Sequence, residues 1–151
     1  MKRVFTLLLG LMLICSIAVA SPVDDLLSKY QDMRLGCEAG INRLDYSRNY
    51  RELYVATRKQ ENTIDKETYD KFMSVLSYYE DAKTMWECDY DLIYKDDREL
   101  LKNKYPTLRN DVYSDIFGNY GKTDMVNYIM KIADKREREL ETMIQPKIQQ
   151  L

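Results

Sequence analysis

An apolar repeat with helical spacing dominates the first half of the chain. Successive members are 4, 3, 4, 4 and 3 residues apart: Leu26, Tyr30, Met33, Cys37, Ile41 and Leu44. Residues at this spacing share one face of an α-helix, whereas a strand alternates every second residue. The repeat predicts an amphipathic helix over about residues 23–60, with a break or a change of packing partner near Ser47.

A second long helix is predicted over about residues 66–94, after a polar turn near Asn62. Its apolar positions also recur every three or four residues: Phe72, Leu76, Tyr79, Trp86, Tyr90 and Ile93. Short helices are predicted through Lys104 and over 107–117, followed by a glycine turn at 118–123 and a last helix over 124–145. The expected fold is an all-α, single-domain bundle of four to five helices with a long antiparallel helical hairpin.

The two cysteines beyond residue 20 fit this hairpin. Facing residues in an antiparallel pair have a constant sum of residue numbers, and Cys37 with Cys88 centres the turn between residues 62 and 63. We expect a Cys37–Cys88 disulfide, although Cys88 lies off the apolar face of its helix. Gly36 and Gly40 flank Cys37, and we expect the missing side chains to let the partner helix come close.

Residues 1–20 have the features of a secretory signal peptide. Lys2 and Arg3 precede an uncharged run that ends in Ala18-Val19-Ala20. Cleavage after Ala20 would leave a single domain over 21–151 that is secreted or periplasmic and not membrane-bound. An uncleaved membrane anchor and a lipoprotein acylated at Cys15 are the alternatives.

The net charge of the chain limits the kinds of macromolecule that it can bind. Removal of the leader's two cations from the chain's 23 leaves 21 against 25 acidic residues, a net charge of −4. A chain this acidic, without a basic block, is a poor binder of nucleic acid.

Histidine is absent from the chain, and this absence limits its chemistry. Without histidine there is no Ser-His-Asp or Cys-His nucleophile, no histidine-bound zinc or haem, and no Glu-x-x-His di-iron site. The few glycines form no phosphate-binding loop. We therefore expect no enzymatic activity, no cofactor and no metal site.

The alternative to a protein without enzymatic activity or a metal site rests on the acidic residues of "WECDYDLIYKDDRE", residues 86–99. Paired carboxylates can serve a hydrolase or a weak calcium site, but the glycine and the bidentate glutamate of an EF-hand are missing. A solvated acidic face is the ordinary interpretation of such a segment, and it also fits "DKREREL" at 134–140.

Tyrosine is unusually frequent, with 13 copies. Its ring and hydroxyl suit both helix packing and recognition surfaces, so core packing and a binding surface remain open. The candidates for a binding surface are Tyr46, Tyr50, Tyr54, Tyr78, Tyr90 and Tyr94.

Two stretches, "INRLDYSRNYRELY" at 41–54 and "YYEDAKTMWECDY" at 78–90, resemble the LprI-type secreted helical domain of bacteria. The resemblance implies a small helical domain associated with lysozyme inhibition. In that family an Arg-Asp pair stands between the tryptophan and a later cysteine, whereas Cys88 here follows Trp86 by two residues. No inhibitory residue is therefore transferred to this chain.

The functional expectation is an exported, non-enzymatic protein that binds a protein or another macromolecule of the cell envelope, or outside it. The alternatives are a lysozyme-inhibitor-like protein, a carboxylate-dependent hydrolase and a purely structural envelope protein.

Overall fold

The computed structural model describes residues 21–87, 92–93, 104–105 and 120–148. Within these ranges the chain forms helices α1 (Pro22–Glu38), α2 (Arg43–Lys59), α3 (Lys66–Glu87) and α4 (Lys122–Ile148). Strands β1 (Leu92–Ile93) and β2 (Tyr120–Gly121) form a two-residue antiparallel ribbon. The predicted all-α bundle is confirmed.

Some predicted boundaries need correction, and others lie outside the described residues. The second long helix ends at Glu87, and Leu92–Ile93 is extended rather than helical. The predicted glycine turn includes Tyr120–Gly121, which pairs with β1, and α4 starts earlier and ends later than 124–145. The signal peptide and the predicted helix over 107–117 lie outside the part of the chain that the structure describes.

Helix α1 begins with a complete capping box. The Ser21 hydroxyl accepts a hydrogen bond from the Asp24 backbone N–H, and the Ser21 backbone N–H donates to the Asp24 carboxylate, each at 3.2 Å. Pro22 occupies the first turn, where a missing N–H costs nothing. These residues satisfy donors that a helix start otherwise leaves unpaired.

The helix predicted over residues 23–60 is in fact two helices, because the chain turns at residues 39–42. Gly40 has a φ of +82°, its N–H donates to Cys37 O at 3.1 Å, and the Ile41 N–H donates to Gly36 O at 3.0 Å. This pair of bonds is the Schellman motif, which ends helices at a left-handed residue. The Asn42 side chain then accepts from two backbone N–H groups at the start of α2.

The two glycines therefore do not act as predicted. A methyl group at Gly40 would meet no atom of the described residues within 4 Å, so this glycine clears no space for a neighbouring described helix. At Gly36 the nearest atom to such a methyl is Ile41 Cδ1 at 3.5 Å, which is ordinary contact. Gly40 is needed for its backbone conformation rather than for its size.

We predict opposite effects on stability for alanine at these two positions. Gly40→Ala should lower the free energy of unfolding by about 1–2 kcal/mol, because a Cβ is strained at this φ. Gly36→Ala is the matched control and should raise it by about 0.5–1 kcal/mol through helix propensity. Urea unfolding followed by circular dichroism measures both, and equal effects would contradict the Schellman assignment.

Helices α2 and α3 run antiparallel on either side of the segment that contains the predicted turn. The start of α2 meets the end of α3, where the Tyr46 hydroxyl donates to Tyr79 O at 2.9 Å. The end of α2 meets the start of α3, where Arg58 donates to the Tyr69 hydroxyl at 3.0 Å. Helix α4 packs on α3 and α1, so the apolar faces of all four helices share one core.

Candidate functional site

Two of the six candidate tyrosines lie in the core, which corrects the expectation that they form a surface. Tyr46 is 0 % exposed and Tyr50 is 8 % exposed. They lie on the same face of α2 as Leu53 and Thr57, since the spacing is again three or four residues. Side chains with so little exposed area offer a partner almost no surface, so Tyr46 and Tyr50 serve packing.

The other candidates do not form one described cluster. Tyr54 is 41 % exposed on α2, beside the ring of Tyr50. Tyr78 is half-buried on α3, where its ring lies 5.9 Å from that of Tyr105, between centroids. Tyr90 and Tyr94 lie outside the described residues. A surface built from tyrosine is therefore not the best candidate site.

The buried tyrosine hydroxyls have strongly perturbed acidity. Burial raises the pKa of Tyr30, Tyr46 and Tyr79 far above that of free tyrosine, because the phenolate would lose its hydration. The Tyr30 hydroxyl donates to Phe72 O at 2.8 Å and lies 3.0 Å from Thr57 Oγ1. These hydroxyls must stay protonated for the core to remain closed.

We predict that the protein unfolds in alkali. Stability should be constant below about pH 9 and fall above about pH 10, because unfolded tyrosine ionises there while Tyr30, Tyr46 and Tyr79 keep their protons. Each contributes a loss of about 1.4 kcal/mol per pH unit. Helical circular dichroism and tyrosinate absorbance should change together. Ionisation of all tyrosines near pH 10 with unchanged helicity would contradict the prediction.

An ion cluster with a buried centre, Arg34 and Glu137, and an exposed rim joins α1 to α4. Arg34 hydrogen-bonds to Glu137 and lies 3.2 Å from Glu38 and 3.6 Å from Asp134, between charged atoms. Arg138 pairs with both Glu38 and Asp134 from the outside, at 2.7 and 3.0 Å. Arg138 and Asp134 are 55 % and 33 % exposed, so this pair lies at the surface, as expected for the segment 134–140.

Glu137 was missed by the sequence pattern. In the sequence of the last helix, Arg136 lies between Ala133 and Leu140 at the three- and four-residue spacing of an apolar face, which predicts it on the inner side. In the structure Arg136 is exposed and Glu137 is 0 % exposed. Burial raises the pKa of Glu137, and the Arg34 guanidinium opposes that rise. Its Oε1 atom has no hydrogen-bond partner among the described residues.

A cavity of about 290 Å³ lies beside this cluster, between α1, α3 and α4. It is lined by Arg34, Cys37, Glu38, Tyr79, Asn127, Met130, Lys131 and Asp134. Tyr79 is 1 % exposed, and its hydroxyl, like Glu137 Oε1, has no partner among the described residues. Tyr79 lines the cavity and Glu137 does not, so the unpaired Tyr79 hydroxyl alone makes the cavity the first candidate site.

Cys37 lies in the wall of this cavity. Burial raises the pKa of its thiol to about 12, so the thiolate is not available as a nucleophile near neutral pH. No disulfide occurs among the described residues, and Cys88 lies outside them. The Cys37–Cys88 pairing stays a prediction.

The second candidate site is the solvent-facing side of α2, which we call the α2 outer face: Leu44, Arg48, Arg51, Val55 and Lys59. These residues are 4, 3, 4 and 4 positions apart and all are exposed. A groove of about 500 Å³ runs between this face and α1. Its lining mixes charged and apolar groups: Asp25, Leu26, Lys29, Arg51, Glu52, Val55, Ala56, Lys59 and Gln60.

The described residues give no support for metal or membrane chemistry. They contain no group of three or more histidine, cysteine, aspartate or glutamate side chains placed to hold a metal ion. None of the four described helices is long and apolar enough to span a bilayer. Most of the predicted acidic segment at 86–99 lies outside the described residues.

Comparison with known proteins gave no match. No family model, no curated protein and no solved structure matches the chain. Any function must therefore be inferred from the structure of the two candidate sites, the cavity and the α2 outer face.

Proposed function

We propose that this is an exported, non-enzymatic protein that binds an acidic macromolecule of the cell envelope through the α2 outer face. The observation that carries the proposal is the α2 outer face, on which apolar and basic residues recur every three or four positions on the solvent side of the helix. Export is supported by the signal-like residues 1–20, and a non-enzymatic role is supported by the absence of histidine from the sequence.

The apolar residues of this face lie where packing does not require them. Leu44 is 77 % exposed and Val55 is 45 % exposed, and Tyr54, the chain neighbour of Val55, is 41 % exposed. The opposite face of α2 already supplies the core through Leu53 and its neighbours. Because the buried centre of a protein interface is rich in apolar and aromatic side chains, these residues are the candidate anchors of a contact.

The charge of α2 favours an acidic partner. The helix has five basic and two acidic residues, in a chain whose net charge is −2. Two of these cations form exposed ion pairs, Arg48 with Asp45 and Arg58 with Glu61. Pairs of this kind contribute little and exchange readily for a partner's carboxylates. Arg51 and Lys59 have no ion pair with any described residue, so their charges are available.

Such a face gives selectivity through charge and affinity through its apolar residues. Basic side chains steer an acidic partner into place and disfavour basic ones, while Leu44 and Val55 lose contact with water only in the complex. Arginine is also enriched at the energetic centre of interfaces. The acidic character of the whole chain limits binding of other anions elsewhere on its surface.

We predict that charge reversal on the α2 outer face weakens binding of the envelope partner. Purified wild-type protein is immobilised, cell-envelope extract is passed over it, and the retained molecules are identified by mass spectrometry. Arg51→Glu should lower retention of a specific acidic species about tenfold, because an attraction becomes a repulsion at the contact. Leu44→Ser should also lower retention of this species. Retention by the wild type should fall as the salt concentration rises.

The matched control is Lys135→Glu, which makes the same change of charge at an exposed position on α4 that also has no ion pair with a described residue. It should retain the partner as the wild type does. Lysozyme, the target that the family resemblance implies, is tested separately in the same format. Retention that is equal in Arg51→Glu and Lys135→Glu, or no specific retention at all, would contradict the proposal.

A further inference from the structure

We propose that the groove between α1 and α2 binds a second copy of this chain, in a two-fold pair in which α1 of each copy lies on α2 of the other. The groove shares Arg51, Val55 and Lys59 with the α2 outer face. A second copy and the envelope partner would therefore compete for these residues, and the dimer would regulate access to the α2 outer face.

The groove follows the contact between the two helices. Near the middle of the helices it has a volume of about 160 Å³, and toward the end of α2 it continues as the space of about 500 Å³. Lys29 and Glu52 line both parts, so the two parts adjoin at these residues. Apolar side chains lie along the groove: Leu26, Met33, Leu53, Val55 and Ala56. An apolar strip with charged groups at its edges has the arrangement of a protein interface.

The charged side chains of the groove are three bases and three acids. All six are exposed, and none forms an ion pair with a described residue: Asp25, Lys29, Asp32, Arg51, Glu52 and Lys59. Their charges sum to zero, so the groove as a whole attracts neither a polyanion nor a polycation. It suits a surface that also carries both signs of charge.

The order of these charges on the two helices is complementary. Since α1 and α2 form a hairpin around the turn at 39–42, residues about equally far from the turn lie at the same level. Lys29 on α1 lies at the level of Glu52 on α2, and Asp25 lies near the level of Lys59. Each of these charges on α1 is matched by an opposite charge at its own level on α2.

A two-fold axis parallel to the helices turns this match into contacts between two copies. A half-turn about such an axis keeps every residue at its level and places α1 of the second copy on α2 of the first. Lys29 of each copy then meets Glu52 of the other, and Asp25 meets Lys59. An interface between identical surfaces must be self-complementary, and this side of the molecule is.

The same charges disfavour the other way of placing two copies face to face. With the axis perpendicular to the helices, α1 would lie antiparallel on α1. A contact centred on Lys29 would then place Lys29 on Lys29 and Asp25 on Asp32. Like charges would meet at each of these positions, so the charge order selects the pairing of α1 with α2.

The area of the contact predicts a reversible dimer. Each helix has 17 residues, which corresponds to a length of about 25 Å, and two helices side by side are about 20 Å wide. Full contact would cover about 500 Å² on each copy, or about 1,000 Å² in total, at the lower end of specific interfaces. We therefore expect dimer and monomer in equilibrium, with the α2 outer face fully available in the monomer.

The test reverses the charges of one contact, Lys29 with Glu52, in the chain without residues 1–20. Sedimentation equilibrium of the wild type should show a monomer–dimer equilibrium. Lys29→Glu and Glu52→Lys should each weaken dimerisation about tenfold or more, because like charges then meet at both copies of the contact. An equimolar mixture of these two variants should dimerise as the wild type does, since opposite charges meet again at both contacts.

The matched control is Lys135→Glu on α4, which should dimerise as the wild type does. Three results would overturn the proposal: a wild type that stays monomeric at about 1 mM, equal dimerisation of the wild type and Lys29→Glu, or no recovery in the mixture. Recovery in the mixture requires both variants to be folded, so it separates loss of the contact from loss of the fold.

The envelope-binding assay distinguishes this proposal from the proposed function, since Lys29 and Glu52 lie outside the α2 outer face. Glu52→Lys should retain the acidic partner at least as well as the wild type, because its monomer leaves Arg51 and Lys59 uncovered and adds a base beside them. A monomeric wild type that loses its envelope partner on Arg51→Glu would contradict the dimer and support the proposed function.

Discussion

The hydroxyl of Tyr30 is the contact on which the arrangement of the first three helices depends. It extends from α1, donates to Phe72 O on α3 and lies in hydrogen-bond contact with Thr57 on α2. All three residues are fully buried, so these groups have no water to replace a lost partner. An unpaired polar group in this position costs about 1–3 kcal/mol, which is a large part of a small domain's stability. The ring of Tyr30 also packs against Phe72, with 5.0 Å between centroids.

The fourth helix is held to this unit by a different kind of contact. Arg34 follows Tyr30 by one turn on α1 and pairs with Glu137 on α4, where neither charge has much contact with water. A buried ion pair of this kind contributes less to stability than to specificity, since any other register of α4 would leave a charge unpaired. The cavity between α1, α3 and α4 lies beside this pair, and Arg34 belongs to its lining.

The sequence predicts part of this structure, for reasons that particular residues make clear. Helical spacing identified the buried face of α1, because burial of Leu26, Tyr30 and Met33 depends only on helix geometry. It did not identify the break at Gly40, because glycine is compatible with both a helix interior and a helix end. The available signal was Asn42, an N-cap residue just after the glycine. Burial of Glu137 could not be predicted from α4 alone, since it depends on Arg34, which is 103 residues away. The α2 outer face was not identified either, because its residues recur at the same three- and four-residue spacing as the buried face with Tyr46, and spacing alone does not say which face is buried.

The most direct test of the central contact is a double-mutant cycle between Tyr30 and Thr57. Tyr30→Phe and Thr57→Val each remove one hydroxyl with little change of shape, and the free energies of unfolding of the wild type, both single variants and the double variant are measured in urea. If the two hydroxyls stabilise the core together, the cycle gives a coupling energy of about 0.5–1.5 kcal/mol. Additive effects, with a coupling below about 0.3 kcal/mol, would show that the three helices do not depend on this contact.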